Sequence, residues 1–313
     1  LGPNGAGKTT TLRILTTLMP GDAGTALVAG ADVRRSPGLV RRRIGYVGQL
    51  GGSDTTATGQ ENLMLAGRLY GLSAAATRAR CAELLGMFDL APLASRAVRT
   101  YSGGQRRRLE VALGIMHQPR VLFLDEPSTG LDPQNRASLW EQVRLLRDGG
   151  TTVFLTTHYL DEADQLCDRV AIVDHGRVIA LGMPDQLKER YSGLAITVTT
   201  DAPADALGEV ARALAGQPHV AGAVPGEGGT IRVTVAGADS AGGTGTSDTT
   251  ETMAAVFGVL AARGVGTRGA TVARPSLDDV FLRETGRSLR DGGDPAGAKP
   301  GTEAETETTG VAA

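Results

Sequence analysis

Near the start of the chain, Gly2-Pro3-Asn4-Gly5-Ala6-Gly7-Lys8-Thr9 has the spacing G-x-x-x-x-G-K-[ST]. Glycines so placed let successive backbone N–H groups converge on phosphate oxygens, and a helix that follows adds its positive N-terminal end. Lys8 then reaches the β and γ phosphates of a nucleoside triphosphate, and the Thr9 hydroxyl is a ligand for Mg²⁺. A helix is expected from Thr10 to Leu18, because Leu12, Ile14, Leu15 and Leu18 recur at helical spacing. The plainer alternative is a Gly-rich turn with a solvated lysine. Lys8, Lys188 and Lys299 are the only lysines among 32 Lys and Arg, which argues against an accidental Gly-Lys-Thr.

A second cluster follows the apolar run Val121-Leu122-Phe123-Leu124, which leads straight into Asp125-Glu126-Pro127. A strand ending in two acids sets them at the carboxyl edge of a sheet, where open α/β folds bind ligands. Asp125 is expected to hold Mg²⁺ directly or through water, and Glu126 to orient or deprotonate an attacking water. A capping acid beside a solvated glutamate is the bland alternative. Ser102-Gly103-Gly104-Gln105 precedes a helix carrying Leu109, Val111, Ala112, Leu113 and Ile115. Its S-x-x-Q spacing fits a capping box, and a helix start opened by two glycines also fits an anion site; both readings stay open. Arg106, Arg107 and Arg108 either add charge beside it or form a solvated face. His158 ends the run Val153 to Thr157, again at a ligand-binding edge, whereas His117, His175 and His219 have no such context.

These groups need a scaffold. Val121 to Leu124, Thr151 to Thr157 and Val170 to Val173 are near-continuous apolar or β-branched runs, suited to strands covered on both faces. Asp132-Pro133 supplies an N-cap and an N1 proline for a helix through Trp140 and Leu146, which should end at Gly149-Gly150. Val170 to Ile179 reads as two strands about a turn at His175-Gly176. The alternation predicts an α/β sheet, mostly parallel with an antiparallel part. After Tyr191 the composition shifts. Strands are expected at Ala195 to Thr200, Thr230 to Val235 and Gly269 to Ala273, with helices at Pro203 to Ala215 and Met253 to Arg263. Ala236 to Thr250 reads as a loop or a locally disordered stretch. The sum suggests a small α+β sandwich of the ferredoxin-like kind. Three units result: residues 1–191, 192–287 and a Gly-, Pro-, Glu- and Thr-rich tail, 288–313, expected to be disordered.

Composition excludes more than it assigns. The chain of 313 residues carries a formal charge of −2, so bulk electrostatics favour neither nucleic acid nor an anionic membrane surface. Cys81 and Cys167 lack metal-ligand spacing and make no disulfide framework. The apolar runs fall far short of the roughly 20 residues that span a bilayer.

The phosphate loop, Gln49 after Ile44-Gly45-Tyr46-Val47, Tyr101 to Gln105, Leu124 to Pro127, Gly130-Leu131-Asp132-Pro133 and Thr156-Thr157-His158 together resemble the ordered motif set of an ABC transporter nucleotide-binding domain. Gly67 to Leu72 and the segment Arg274 to Leu282 further resemble the daunorubicin-resistance (DrrA-type) drug-export ATPases. The resemblance implies a P-loop ABC-type domain, with a mixed, mostly parallel sheet and a helical subdomain, followed by a small α+β C-terminal domain. It implies ATP bound by Gly2, Pro3, Asn4, Gly5, Ala6, Gly7, Lys8, Thr9 and Thr10, with Mg²⁺ on Thr9, Gln49 and Asp125. Glu126, His158 and Gln49 become the catalytic set. Ser102, Gly103, Gly104 and Gln105 would bind the ATP of a second copy in a head-to-tail homodimer, with Asp132 reaching across the interface. A separate transmembrane permease, received in the groove near Gln49 to Leu63, would hold the subunit at the cytoplasmic face of the membrane, and no nucleic acid is expected. The alternative is a soluble ABC ATPase acting on ribosomes or DNA. Tyr101 and Gly48 stand where the family often has leucine and proline, and neither removes a ligand. Because Leu1 is not Met and the motif opens the chain, the sequence reads as part of a longer protein. A core strand and an adenine-stacking aromatic would precede it, with weak ATP binding and poor folding expected of the chain as it stands.

Overall fold

The computed structural model describes residues 1–190, 195–218, 220–235, 246–273 and 276–285. From the N-terminal loop the chain passes through α1 (Lys8–Leu15), the short hairpin β1 (Leu27–Val28) and β2 (Ala31–Asp32), α2 (Pro37–Arg43) and β3 (Ile44–Val47). Three helices follow, α3 (Gly59–Leu69), α4 (Ala74–Met87) and α5 (Gly103–Gly114). Next come β4 (Val121–Asp125), α6 (Pro133–Asp148), β5 (Thr152–Thr156) and α7 (Leu160–Leu166), then the hairpin β6 (Val170–Asp174) and β7 (Arg177–Gly182), and α8 (Pro184–Arg190).

The apolar run of β4 puts it in the middle of a parallel sheet of order β3-β4-β5. Side chains alternate across the pleat. Leu122 and Leu124 enter a core with residues of α3, α4, α5 and α6, while Phe123 faces a second core with Leu12 of α1, Val28, Val40 and Ile44. The register aligns Val47 with Leu124 and Asp125 with Thr156. The three strands therefore end together, and Gln49, Glu126 and His158 all emerge at one edge. Leu1 and Gly2 bring the phosphate loop to the same place: Val173 N donates to the Leu1 carbonyl at 2.8 Å and Gly2 N to the Thr157 carbonyl at 3.3 Å.

Local chemistry sets the helix ends. Asp132 caps α6 through the Asn135 amide at 2.9 Å, Pro133 opens it and Gly149 closes it, as the sequence predicts. Thr58 and Glu61 form a capping box on α3. The first helix differs from expectation. It spans Lys8–Leu15, because Thr17 turns left-handed (φ 63°) and the Leu18 and Met19 amides both fold back on the Arg13 carbonyl. Leu18, expected on the apolar stripe, is 58% exposed.

The second unit contains β8 (Ala195–Thr200), α9 (Ala204–Ala215), β9 (Val220–Gly226), β10 (Thr230–Val235), α10 (Thr246–Ala262) and β11 (Thr267–Ala273). Its antiparallel sheet has the order β11-β8-β10-β9, the ferredoxin-like βαββαβ arrangement. Sequence reasoning missed β9, whose Gly222, Pro225 and Gly226 discourage a strand. An edge position tolerates them, since proline there need donate to no second neighbour. The helix α10 begins at Thr246, inside the stretch expected to be a loop. The last helix, α11 (Leu277–Thr285), departs from the expected division of the chain. Leu277, Val280 and Phe281 share a core with Ala163, Val170, Ile172, Ala180 and Leu187, which all precede residue 191, and not with the second sheet. Arg232 on β10 reaches the same helix through an ion pair with Asp279 at 3.1 Å. The boundary at Tyr191, His219, the segment 236–245, Arg274, Pro275 and the tail from 288 lie outside the described residues.

Candidate nucleotide-binding and hydrolysis site

Gly7 takes φ 98°, a conformation closed to most side chains, and this bend turns the phosphate loop into the first turn of α1. Pro3 to Thr10, Gln49 and Glu126 line one recess of about 210 Å³. Lys8 is 7% exposed and faces inward. Its Nζ donates to the carbonyls of Gly2 at 2.7 Å and Pro3 at 3.0 Å, and pairs with Glu126 Oε1 at 3.1 Å.

Glu126 is held from several sides. Its φ of 45° is strained for a residue with a Cβ, a cost of about 1–3 kcal/mol that the surroundings must balance. Its amide donates to the carbonyl and Oγ1 of Thr156, both at 3.1 Å. His158 Nδ1 lies 3.5 Å from Oε2, and Thr129 Oγ1 donates to the same oxygen at 3.4 Å. Burial alone would raise the Glu126 carboxyl, but the hydrogen bond and charge of Lys8, with His158, outweigh it and hold the group below the usual range.

Asp125 is 1% exposed. Its Oδ1 accepts from Thr156 Oγ1 at 2.6 Å and Thr9 Oγ1 at 3.1 Å. A hydroxyl and a carboxylate this close supply the hard oxygens that Mg²⁺ prefers, and few enough of them to need phosphate oxygens as well. The donor set therefore fits that ion. Gln49 is exposed and lines both the recess and a larger groove of about 770 Å³, which Leu50, Leu65, Leu69, Tyr70, Glu110 and Asp125 also line.

The remaining predicted residues gather elsewhere. None of Ser102, Gly103, Gly104, Gln105 or Asp132 lines the recess. Ser102 and Gln105 form the capping box, with Ser102 N donating to Gln105 Oε1 at 2.9 Å and Gln105 N to Ser102 Oγ at 3.2 Å. A Cβ on Gly104 would collide with the Asn135 side chain, so only glycine lets α5 approach α6 there. Asn135 also donates through Nδ2 to Asp132 Oδ2 at 2.6 Å. The Asn135 amide and side chain hold the Asp132 carboxyl below its ordinary range. Tyr101, at the position where the family often has leucine, is buried, and its hydroxyl donates to the Leu93 carbonyl at 2.7 Å.

Sequence reasoning gave Thr156 and Thr129 no role of their own and left Arg107 open between added charge and a solvated face. The three arginines after the signature glycines are not one solvated face: Arg107 is 7% exposed and points into the acid-bearing loops. One signal was present, since Glu110, three residues on, puts an opposite charge on the same helix face.

Comparison with known proteins supports the same reading. A protein-family profile described as ABC transporter matches residues 1–129. The daunorubicin resistance ATP-binding protein DrrA3 of Streptomyces coeruleorubidus is 45% identical over 290 residues, covering 93% of this chain and 87% of that protein. The daunorubicin/doxorubicin resistance ATP-binding protein DrrA of Streptomyces peucetius is 57% identical over 188 residues, 60% of this chain and 57% of its own length. Among solved structures, a dimeric ATP-binding cassette in a post-hydrolysis state with ADP and Pi superimposes with a TM-score of 0.53 at 26% identity, covering 58% of this chain and 82% of that one. With its phosphate loop, acid pair and signature helix in one fold, the chain belongs to the ATP-binding, ATP-hydrolysing subunits of the ABC transporter family.

Proposed function

We propose that this chain powers export of a hydrophobic drug or antibiotic through a separate membrane subunit. The observation that carries hydrolysis is Glu126, fixed 3.1 Å from Lys8 at the mouth of the phosphate loop. Lys8 and the loop amides would hold the β and γ phosphates. When bound, Mg²⁺ on Thr9, Asp125 and Gln49 would neutralise phosphate charge. Glu126 would take a proton from the water whose oxygen bonds to the γ phosphorus. The bond to the bridging oxygen then breaks, and its electron pair leaves with ADP. His158, on the other carboxylate oxygen, would orient Glu126 and meet the γ phosphate.

Ser102, Gly103 and Gly104 stand away from this recess, which supports a head-to-tail homodimer in which they close on the ATP of a second copy, with Asp132 at the interface. Residues 1–191 form the ATPase unit in this reading and 192–287 an accessory unit whose last helix returns to the first. The groove beside Gln49 exposes Leu50, Leu65, Leu69 and Tyr70, a surface suited to an apolar segment of the membrane partner. No helix among the described residues is long and apolar enough to cross a membrane, so this reading sets the chain peripherally at the cytoplasmic face. Relatives named for drug resistance and export support this reading over a ribosome- or DNA-directed ATPase. Glu126→Gln is expected to abolish ATP turnover and trap ATP-bound dimers in size-exclusion chromatography; undiminished turnover refutes the mechanism. Stimulation of ATPase activity by hydrophobic drugs, with the membrane subunit present, tests the export role.

A further inference from the structure

Arg107 Nε donates to the Pro127 carbonyl at 2.9 Å, Nη2 to the Asp125 carbonyl at 3.1 Å and Nη1 to the Gly48 carbonyl at 2.7 Å. Nη1 also pairs with Glu110 Oε2 at 3.1 Å. Two of these carbonyls flank Glu126 and the third precedes Gln49. Gly48, Gln49, Glu110 and Asp125 all line the large groove. One guanidinium thus grips both sides of the strained catalytic acid and the backbone at the groove wall.

We propose that Arg107 is a positioning residue for hydrolysis, which fixes Glu126 and ties it to the Gln49 loop, so that displacement of the groove wall is felt at the acid. The proposal rests on the reading of Glu126 given above. The planar fork explains why arginine is needed. Its donors diverge in one plane toward three carbonyls and a carboxylate, whereas a lysine ammonium is a single point that cannot span two loops. Glu110 balances the buried charge.

The test uses the purified full chain with Arg107→Lys, Glu110→Gln and Glu126→Gln. Far-UV circular dichroism checks folding, ATP affinity is measured without Mg²⁺, and kcat with it. Misplacing a reacting group by about 1 Å costs up to about 100-fold, so Arg107→Lys is expected to lower kcat by about 10- to 100-fold while ATP affinity does not fall. Glu110→Gln, which keeps the three carbonyl bonds, is expected to lower kcat less. Wild-type kcat in Arg107→Lys, or a loss confined to ATP affinity, overturns the proposal. If Arg107→Lys does not fold, Glu110→Gln decides: a lowered kcat at unchanged affinity supports the bracket and an unchanged kcat overturns it. Full turnover by Glu126→Gln overturns the functional reading and the proposal together. Lost turnover there with a normal Arg107→Lys overturns the role of Arg107 alone.

Discussion

Lys8 and Glu126, the two residues that should meet ATP, lie against each other. Lys8 Nζ lies 3.1 Å from Glu126 Oε1, with side-chain exposures of 5% and 9%. Lys8 cannot turn to a phosphate without giving up this partner, so the pair opposes binding. Replacing Glu126 by glutamine keeps the shape and removes the charge, while the Gly2 and Pro3 carbonyls still accept from Lys8. What is lost is one charge-assisted hydrogen bond, about 1.5–3 kcal/mol net. That energy should leave the stability of the nucleotide-free chain and reappear as affinity, since each 1.4 kcal/mol is tenfold. ADP is the ligand to use. It engages the loop and Lys8 without the γ phosphate that brings two copies together, so dimer trapping does not inflate the result. Isothermal titration should show ADP binding about 10- to 150-fold tighter in Glu126→Gln. The unfolding midpoint without nucleotide should fall by about 3–12 °C. Unchanged or weaker ADP binding in a variant that is destabilised as expected would refute the latch.

The same pair sets a pH dependence. The Glu126 carboxyl is held below its ordinary 4.5, so the stability it contributes is complete above that pH and fades as pH falls through the lower folded value. The stability gap between wild type and Glu126→Gln, followed by urea unfolding, should stay constant from pH 7 to 5 and close only below 4.5; a gap that closes above pH 5 contradicts this. Phe281 is 1% exposed in the core that joins α11 to α7 and α8. Phe281→Ala should cost about 3–5 kcal/mol and raise hydrogen exchange in α7 and β6; protection unchanged there would mean that α11 does not support the first unit.

What could be read from the sequence depended on how local each feature is. The phosphate loop, the acid pair and the caps of α6 were legible because each is fixed within a few residues: a glycine φ, an apolar run ending in acids, an Asp before a Pro. Arg107 was not, because an arginine on a helix gives no local sign of whether it meets water or two distant loops. The fate of the β9 segment turned on its place in the sheet, since Pro225 forbids a central strand and permits an edge. No helix was expected over Leu277, Val280 and Phe281; chain order put these residues in the second unit, and packing returns them to the first. The exposure of Leu18 follows from one left-handed threonine, which no periodicity foretells.

The capping box on α5 leaves room for the anion site proposed for the same segment. In an uncapped helix the leading amides all lack partners. Here the Ser102 amide bonds to the Gln105 side chain and the Gln105 amide to Ser102 Oγ, so the box takes the N-cap and third positions. The amides of Gly103 and Gly104, between them, take no part in it. Capping therefore does not compete with anion binding; it holds the helix end rigid and leaves two adjacent amides at the positive end of the dipole. In the proposed dimer these two amides face a γ phosphate already held by the other copy. The two halves of each site then differ in cost. Lys8 must break a buried ion pair to engage ATP, whereas Gly103 and Gly104 give up no partner in the capping box. Nucleotide should accordingly bind first at the phosphate loop, with the signature helix closing afterwards, and variants that weaken the Lys8–Glu126 pair should raise loop affinity for ADP without changing the geometry that α5 presents.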